Sequence, residues 1–336
     1  MTARSRILVT GAGGFLGAAV VRELAARGVR VRALVRRPQA AREWCESFGT
    51  RAASVEVAVG SLGDNHVEQD LVAGCDVIVH AAGALRGAAS TLVRQNAVAT
   101  RCLVRAATDL PVRRFVLVSS LGVYDAARLR PGDVLDETCP IDSHSERRTA
   151  YIYSKIVQEQ VCWESHDSRH FPLVVVRPGV IFGPGRSCLT DRVGPRVGRW
   201  VAVIGPLRSL PYTFVQNCAS AVALAATAPD EIAGQSFNIV DDELPTAGEI
   251  VRRCRAADVT LRSVAIPGRC APLLSRVFTR VHRWSDGMLP AVLAPPVVDA
   301  MYKPLTFSNA RAKSRLGWQP AVDLETAFDL TLRVAR

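Results

Sequence analysis

One short run near the N-terminus constrains this chain more than any other. Thr10-Gly11-Ala12-Gly13-Gly14-Phe15-Leu16-Gly17 stands between an apolar strand pattern at 6–10 and a helical pattern over 14–27. Gly11, Gly14 and Gly17 form a Gly-x-x-Gly-x-x-Gly spacing. In such a turn, directly after a strand and opening a helix, the main chain can approach a pyrophosphate, which rests on the positive end of the helix dipole. A lone glycine pattern says little; strand before, helix after and a place at the start of the chain make this one specific.

The pattern that follows agrees with that start. Short apolar runs predict strands at 6–10, 29–35, 54–59, 76–80, 114–119 and 172–177, with one more at 237–240. Helical periodicity predicts helices near 14–27, 66–73, 90–109 and 146–165. Near-continuous Val/Ile/Leu strands separated by helices imply a parallel sheet covered on both faces. The expected fold is α/β, a Rossmann-type doubly wound parallel sheet. Residues 1–182 and 212–240 would form the dinucleotide-binding domain, and 183–211 with 241–336 a smaller substrate-binding lobe over its carboxyl edge. Within that lobe Thr246-Ala247-Gly248-Glu249 has a capping-box pattern, and helices are expected after Ser308 and Asp323. Prolines argue against a helix in the apolar piece 289–298, which is expected to be a loop over the substrate.

Lysine usage singles out one position. Of 42 Lys+Arg, only Lys155, Lys303 and Lys313 are lysine. Lys155 falls four residues after Tyr151, a spacing that puts phenol and ammonium on one helix face. Arginine is a wide planar fork and lysine a compact point charge, so a site that brings one cation beside a phenol and a ribose hydroxyl can require lysine. Tyr153, two positions from Lys155, lies off that face and is expected to pack.

Charge and cysteine usage narrow the setting. The net charge is +11, but the arginines are spread over the chain and aromatic content is 6%, so stacking platforms for nucleic acid are sparse. No nucleic-acid partner is expected; a phosphate-bearing cofactor suits the charge. Nine cysteines without a Cys-x-x-Cys suggest reduced thiols and a cytoplasmic setting. Neither a signal peptide nor a transmembrane segment is expected. His166 and His170 have an i, i+4 spacing but are expected to be a solvated helix end; no metal site is expected. At the end of the second strand, where an NAD-selective site wants an acidic residue for the ribose hydroxyl, Val35 is followed by Arg36 and Arg37. A guanidinium there pairs with a 2′-phosphate. NADP(H) is therefore expected in preference to NAD(H).

These residues resemble the extended short-chain dehydrogenase/reductase superfamily, the NAD-dependent epimerase/dehydratase and 3β-hydroxysteroid dehydrogenase-like group. The resemblance covers nearly the whole chain. It runs from the glycine motif through His80-Ala81-Ala82-Gly83, Asn96, Val118-Ser119-Ser120-Leu121-Gly122-Val123-Tyr124, Tyr151-Ile152-Tyr153-Ser154-Lys155 and Arg177-Pro178-Gly179-Val180-Ile181-Phe182-Gly183-Pro184-Gly185 to Leu316-Gly317-Trp318-Gln319-Pro320. It implies that Tyr151 is the acid/base, that Lys155 binds the nicotinamide ribose and favours the phenolate, and that Ser120 holds the substrate oxygen. Asn96 would support the active-site helix or a water. The cofactor would be held by Gly11, Gly13, Gly14, Phe15, Leu16 and Gly17, by Ser61, Leu62, Ala81, Ala82, Gly83 and Ser119, by Tyr151 and Lys155, and by Pro178, Gly179 and Val180. Ser61 stands where the family usually has an Asp on the adenine edge.

Three departures indicate the branch. Leu121 and Gly122 stand where sugar-nucleotide dehydratases resemble one another in carrying Asp-Glu. Pro211-Tyr212-Thr213-Phe214-Val215 replaces the Arg-Asp-Phe run of sugar-nucleotide epimerases. Gln216-Asn217-Cys218-Ala219 resembles the hydroxysteroid dehydrogenase-like and ketoreductase branch. The resemblance thus implies an NAD(P)-dependent oxidoreductase acting on a carbonyl or secondary alcohol, with a homodimer as its assembly. A sugar-nucleotide epimerase or reductase is the alternative, since Arg186, Arg192, Arg196, Arg199 and Arg208 could grip a diphosphate. A non-catalytic dinucleotide-sensing protein is the third reading; such members lose the Tyr or the Lys, and both are present.

Overall fold

The computed structural model describes residues 6–37, 54–63, 65–271, 273, 275, 276, 280 and 295–333. At its centre is a sheet of seven parallel strands. In chain order they are β1 (Arg6–Thr10), β2 (Arg30–Val35), β3 (Val55–Val59), β4 (Val77–His80), β5 (Arg114–Val118), β6 (Leu173–Pro178) and β7 (Gln235–Ile239), with spatial order β7-β6-β5-β4-β1-β2-β3. Every residue of β4, β5 and β6 is buried, as strands covered on both faces require. The predicted strands are all present, with ends shifted by a residue or two.

Helices cover both faces. On one side α1 (Phe15–Ala26) packs with a helix after the sixth strand, α6 (Val215–Thr227), through Val20, Val21, Leu24, Ala221, Val222 and Ala225. On the other lie α2 (Asn65–Val72), α4 (Ala99–Thr108) and α5 (Ala150–Arg169), whose core includes Leu71, Leu103, Val104 and Cys162. The predicted helix over 90–109 is continuous but not uniform. It begins as α3 (Ala89–Val93), passes through a π-helical turn at Arg94–Val98 and becomes α4. Asn96 lies in that turn, the kind of local widening that re-aims a side chain.

Further elements join this core among the described residues. A three-stranded sheet joins Arg196–Val197, Trp200–Ile204 and Arg262–Ile266. Val201, Val203 and Leu210 merge with the core beneath α1 and α6. Thr246 caps α7 (Ala247–Ala257) by accepting from the Glu249 amide at 3.1 Å; the Glu249 carboxylate turns to Arg253 instead of closing the capping box. Helices α9 (Ala310–Leu316) and α10 (Leu324–Arg333) follow. The expectation of a loop over 289–298 is corrected in part: residues 289–294 lie outside the described residues, and α8 (Pro295–Tyr302) is helical from Pro295. Proline is tolerated in a first helical turn, where its missing N–H has no partner to lose.

Candidate functional site

The glycine turn lies where the strand order reverses, between β1 and β4. Gly11 has φ +71°, and a Cβ there would stand 2.7 Å from the backbone of Ala82. The loops after β1 and β4 therefore touch main chain to main chain. A Cβ on Gly17 would meet the Gly11 carbonyl oxygen at 2.1 Å, so α1 crosses β1 as closely as a helix can. The Gly14 amide donates to Gly11 O at 2.8 Å. Gly14 caps α1 with no side-chain hydrogen bond, and no acidic residue occupies the first turn. The free N–H groups of that turn are thus left for an anion. Gly13 faces Val35, with 3.7 Å from a Cβ to Cγ1. That puts exposed Arg36 and Arg37, at the carboxyl end of β2, beside the turn. The cradle fits a dinucleotide pyrophosphate. Leu16 is core, Phe15 is half-buried, and the Arg186 guanidinium lies 5.4 Å from the Phe15 ring centroid. Ser61 is exposed, while Leu62 packs on the core beneath α2.

At the carboxyl end of β5, Ser120 caps a short turn, Leu121–Val123, accepting from the Gly122 amide at 3.1 Å. A Cβ on Gly122 would stand 2.3 Å from Ile152 Cδ1, so this turn packs directly on the first turn of α5. Tyr151 lies in that first turn, opened by Thr149, whose hydroxyl accepts from Ile152 N. Burial pushes the Tyr151 phenol up to about 12; the Arg186 guanidinium and the Ser120 hydroxyl pull it the other way. Lys155, one turn on and 5% exposed, donates to Val118 O at 2.8 Å and to Gln158 Oε1 at 2.7 Å. Burial brings its ammonium down to about 8, against the raising effect of Glu159. The sequence reading gives Lys155 the charge that favours the phenolate. In the structure the Lys155 ammonium is held by a β5 carbonyl and a glutamine, and the Arg186 guanidinium is a further cation that pulls Tyr151 down.

Around this pair the side chains divide into those that face the cleft and those that brace it. Asn96 is fully buried; its Oδ1 accepts from Ala84 N at 2.6 Å and its Nδ2 donates to Ala84 O at 3.0 Å and Ser154 Oγ at 2.8 Å. It ties the loop after β4 to α5. A Cβ on Gly83 would come within 3.3 Å of Asn96 Oδ1 and 3.6 Å of Lys155 Nζ, so Ala81-Ala82-Gly83 passes directly over both. Ser119 donates to Glu159 Oε2 at 2.6 Å, and Glu159 pairs with buried Arg177. That hydroxyl is engaged inside the core. Pro178, Gly179 and Val180 are clamped from both sides: Gly179 N donates to Ile239 O and Val180 N to Pro211 O. Asn217, one of the branch-marking residues, is a structural clamp; it donates to Asp241 and Val322 O and accepts from Val322 N.

A second buried set was not recognised in the sequence. Thr10 Oγ1 and His80 Nδ1 lie 2.7 Å apart, as do His80 Nε2 and Thr100 Oγ1. Gln158 Nε2 donates to Thr100 Oγ1 at 2.8 Å while its oxygen holds Lys155. Burial, and then the Lys155 charge, bring His80 down to about 3, so it stays neutral. The network ties the glycine turn to Lys155 beneath the cleft. Gln158 and Glu159, three and four residues past Lys155, were the available signal. His166, by contrast, donates Nδ1–H to Phe171 O, and His170 ends α5 with φ +53°. Among the described residues no group of three His, Cys, Asp or Glu is placed to hold a metal.

A parallel sheet of this order, with a glycine turn at its reversal point, defines a dinucleotide-binding α/β protein of the Rossmann type. The chain belongs to the NAD dependent epimerase/dehydratase family, whose sequence model matches residues 7–240. It is 32% identical over 183 residues to cinnamoyl-CoA reductase 1 of Petunia hybrida, covering 53% of this chain and 55% of that protein. The match thus spans about half the length of that relative. It is 29% identical over 344 residues to the 3 beta-hydroxysteroid dehydrogenase/Delta 5-->4-isomerase of Mycobacterium tuberculosis, covering 97% of this chain and 89% of that one. Its fold is similar to a UDP-glucuronic acid 4-epimerase from Bacillus cereus, with TM-score 0.72, 17% identity and 98% of each chain covered. Among the described residues no helix is long and apolar enough to cross a membrane.

Proposed function

We propose that this protein is an NAD(P)-dependent oxidoreductase that moves a hydride between nicotinamide C4 and a carbonyl or secondary alcohol. One juxtaposition carries the reading: the Ser120 turn packs on the first turn of α5, bringing hydroxyl and Tyr151 phenol together, with Lys155 one turn behind. When bound, the nicotinamide supplies or accepts the hydride. The chain's own residues handle the proton. Reduction builds negative charge on the substrate oxygen, and Tyr151, pushed up to about 12 by burial, holds its proton at neutral pH and donates it there. Ser120 donates to the same oxygen and keeps it in line. In the oxidising direction Tyr151 must lose its proton, and Arg186 favours that form. Lys155 would orient the ribose, and Asn96 braces the loop above it.

NADP(H) preference rests on Arg36 and Arg37, which lie exposed beside the glycine turn where a 2′-phosphate would sit; NAD(H) is the alternative. Residues 183–211 and 241–336 form the substrate lobe in this reading, and a homodimer through α3–α5 is its assembly. A sugar-nucleotide epimerase or reductase is the second reading, favoured by the arginines after Gly185 and opposed by Leu121, Gly122 and Pro211.

A paired screen tests the reading. NADPH oxidation is followed with simple ketones, steroids and nucleotide sugars, while the melting temperature is recorded with UDP and dTDP. Turnover of a ketone or steroid is expected. Turnover restricted to nucleotide sugars, with stabilisation by UDP or dTDP, selects the second reading. Cofactor binding without any turnover removes both.

A further inference from the structure

Most of the described cysteines lie apart from one another in the core. Burial pushes the thiols of Cys75, Cys139, Cys162 and Cys218 up, away from the reactive thiolate. Cys188 and Cys254 differ. Their sulfurs lie 3.4 Å apart although 66 residues separate them in the chain, and among the described residues no other two cysteines are in hydrogen-bond contact. Cys188 is 1% exposed and Cys254 7%. Cys254 sits on the buried face of α7 with Ile250 and Val251. Cys188 lies two residues past Arg186, whose guanidinium stands over the Phe15 ring.

The backbones that carry the two sulfurs are both pinned. The Tyr212 hydroxyl donates to Cys188 O at 2.7 Å and lies 2.8 Å from Thr190 Oγ1. Thr246 caps α7, and Arg253 ties it to Glu249 and Glu325. A contact of 3.4 Å between the sulfurs leaves only a side-chain adjustment to a bond, with both backbones in place. The thiols are also unequal. The Cys254 thiol donates to Cys188 Sγ and favours its thiolate against burial, and the Arg253 charge acts in the same direction. The same hydrogen bond, and then burial, push Cys254 up. One sulfur is thus prepared as a nucleophile, with the second thiol already against it. A cavity of about 480 Å³ opens along α7 at Val251 and Arg255, one turn before Cys254 and one residue after it. It brings solvent, and any water-sized oxidant, up to this stretch of the helix.

We propose that Cys188 and Cys254 form a reversible thiol-oxidation site, which hydrogen peroxide closes to a disulfide. The Cys188 thiolate attacks one peroxide oxygen and the O–O bond breaks. The other oxygen leaves as water, taking up the proton that Cys188 gave up, and Cys188 becomes a sulfenic acid. The Cys254 thiol then attacks that sulfur; the S–S bond forms and the sulfenic oxygen leaves as a second water. The two sulfurs give up two electrons and the peroxide takes them. A thiol reductant restores the pair by exchange. Closure fastens the segment that carries Arg186 to α7. None of this depends on the oxidoreductase reading.

The test treats the full chain with hydrogen peroxide, blocks the remaining thiols with N-ethylmaleimide and reads the products by intact and peptide mass spectrometry. The wild type should yield peptides joined through Cys188 and Cys254 before Cys102 and Cys270, which are half-buried, are oxidised. Dithiothreitol should reverse the link. Cys254→Ser keeps a donor to Cys188 but removes the resolving thiol, so it should accumulate a sulfenic acid at Cys188 that dimedone traps. Cys188→Ser should give neither link nor label at Cys254. A wild type still unlinked once Cys102 and Cys270 are consumed, or linked only in urea, overturns the proposal, as does a dimedone label on Cys254 in Cys188→Ser. If either serine variant fails to fold, the wild-type peptide map decides alone. The linked wild type should also melt at least about 3 °C above the reduced one. Equal or lower melting would mean that the bond forms in an opened chain, and sinks the proposal.

Discussion

The glycine turn at the head of α1 and the arginine cluster beneath α8 both gather positive potential, by opposite means. The first is made of main chain. Its specificity lies in missing side chains, since a Cβ on Gly17 would stand 2.1 Å from a carbonyl oxygen and one on Gly11 2.7 Å from Ala82. The second is made of long side chains whose heads meet only because α8, the Ser120 turn and the segment around Arg192 and Arg208 pack together. A backbone cradle is rigid and indifferent to what lies beyond the phosphates. A side-chain pocket can be altered residue by residue without disturbing the sheet.

If that contrast is right, substitutions in the sheet half should disturb cofactor binding, folding or proton transfer, and those in the lobe should leave the cofactor alone. The largest expected effect is on turnover. Tyr151→Phe should lower it by about 10³-fold while leaving NADPH affinity nearly unchanged; a mutant with wild-type rates would move the acid elsewhere. Next comes Gly17→Ala, expected to cost about 3 kcal/mol in denaturant melts and to abolish cofactor binding, because α1 must back away from β1. Full cofactor affinity in that variant would break the backbone-cradle account.

The buried network supplies a pH test. His80 is held near 3 in the folded protein, below its ordinary 6.5. As pH falls from 6.5 towards 3, the unfolded chain takes up a proton that the folded one refuses, so stability falls. This group contributes about 1.4 kcal/mol per pH unit, a slope that His80→Asn should remove from denaturation curves. Arg36→Ala should weaken NADPH about tenfold and NADH hardly at all, as fluorescence titration would show; equal losses would reject the NADP preference. The smallest effect belongs to the lobe. Thr246→Ala removes the cap of α7 and should cost about 1 kcal/mol with no change in cofactor affinity. A cofactor defect there would mean that lobe and cradle are coupled.

Much of the sheet half was legible before the structure because its signals are local. β4, β5 and β6 read as continuous apolar runs, and the glycine turn reads by its spacing. Tyr151 and Lys155 read by one helical turn. What was not legible depended on partners distant in sequence. Nothing near Ser119 in the chain tells that its hydroxyl bonds Glu159. Nor does the sequence tell that Val118 O and Gln158 hold the Lys155 ammonium, or that Arg186 is a further cation acting on Tyr151. Residues 289–298 looked non-helical from their prolines, and Pro295 begins a helix.

Periodicity and steric exclusion are written in the chain itself: period-two and period-3.6 apolar patterns, and glycines where nothing larger fits, determine a parallel sheet and a phosphate cradle. Charge pairing is not written there. In a chain with 42 Lys+Arg, nothing in the order of residues tells which guanidiniums will meet a carboxylate. Only packing, by burying Arg177 against Glu159 and Arg208 against carbonyls and an aromatic ring, decides which cation meets a carboxylate and which does not.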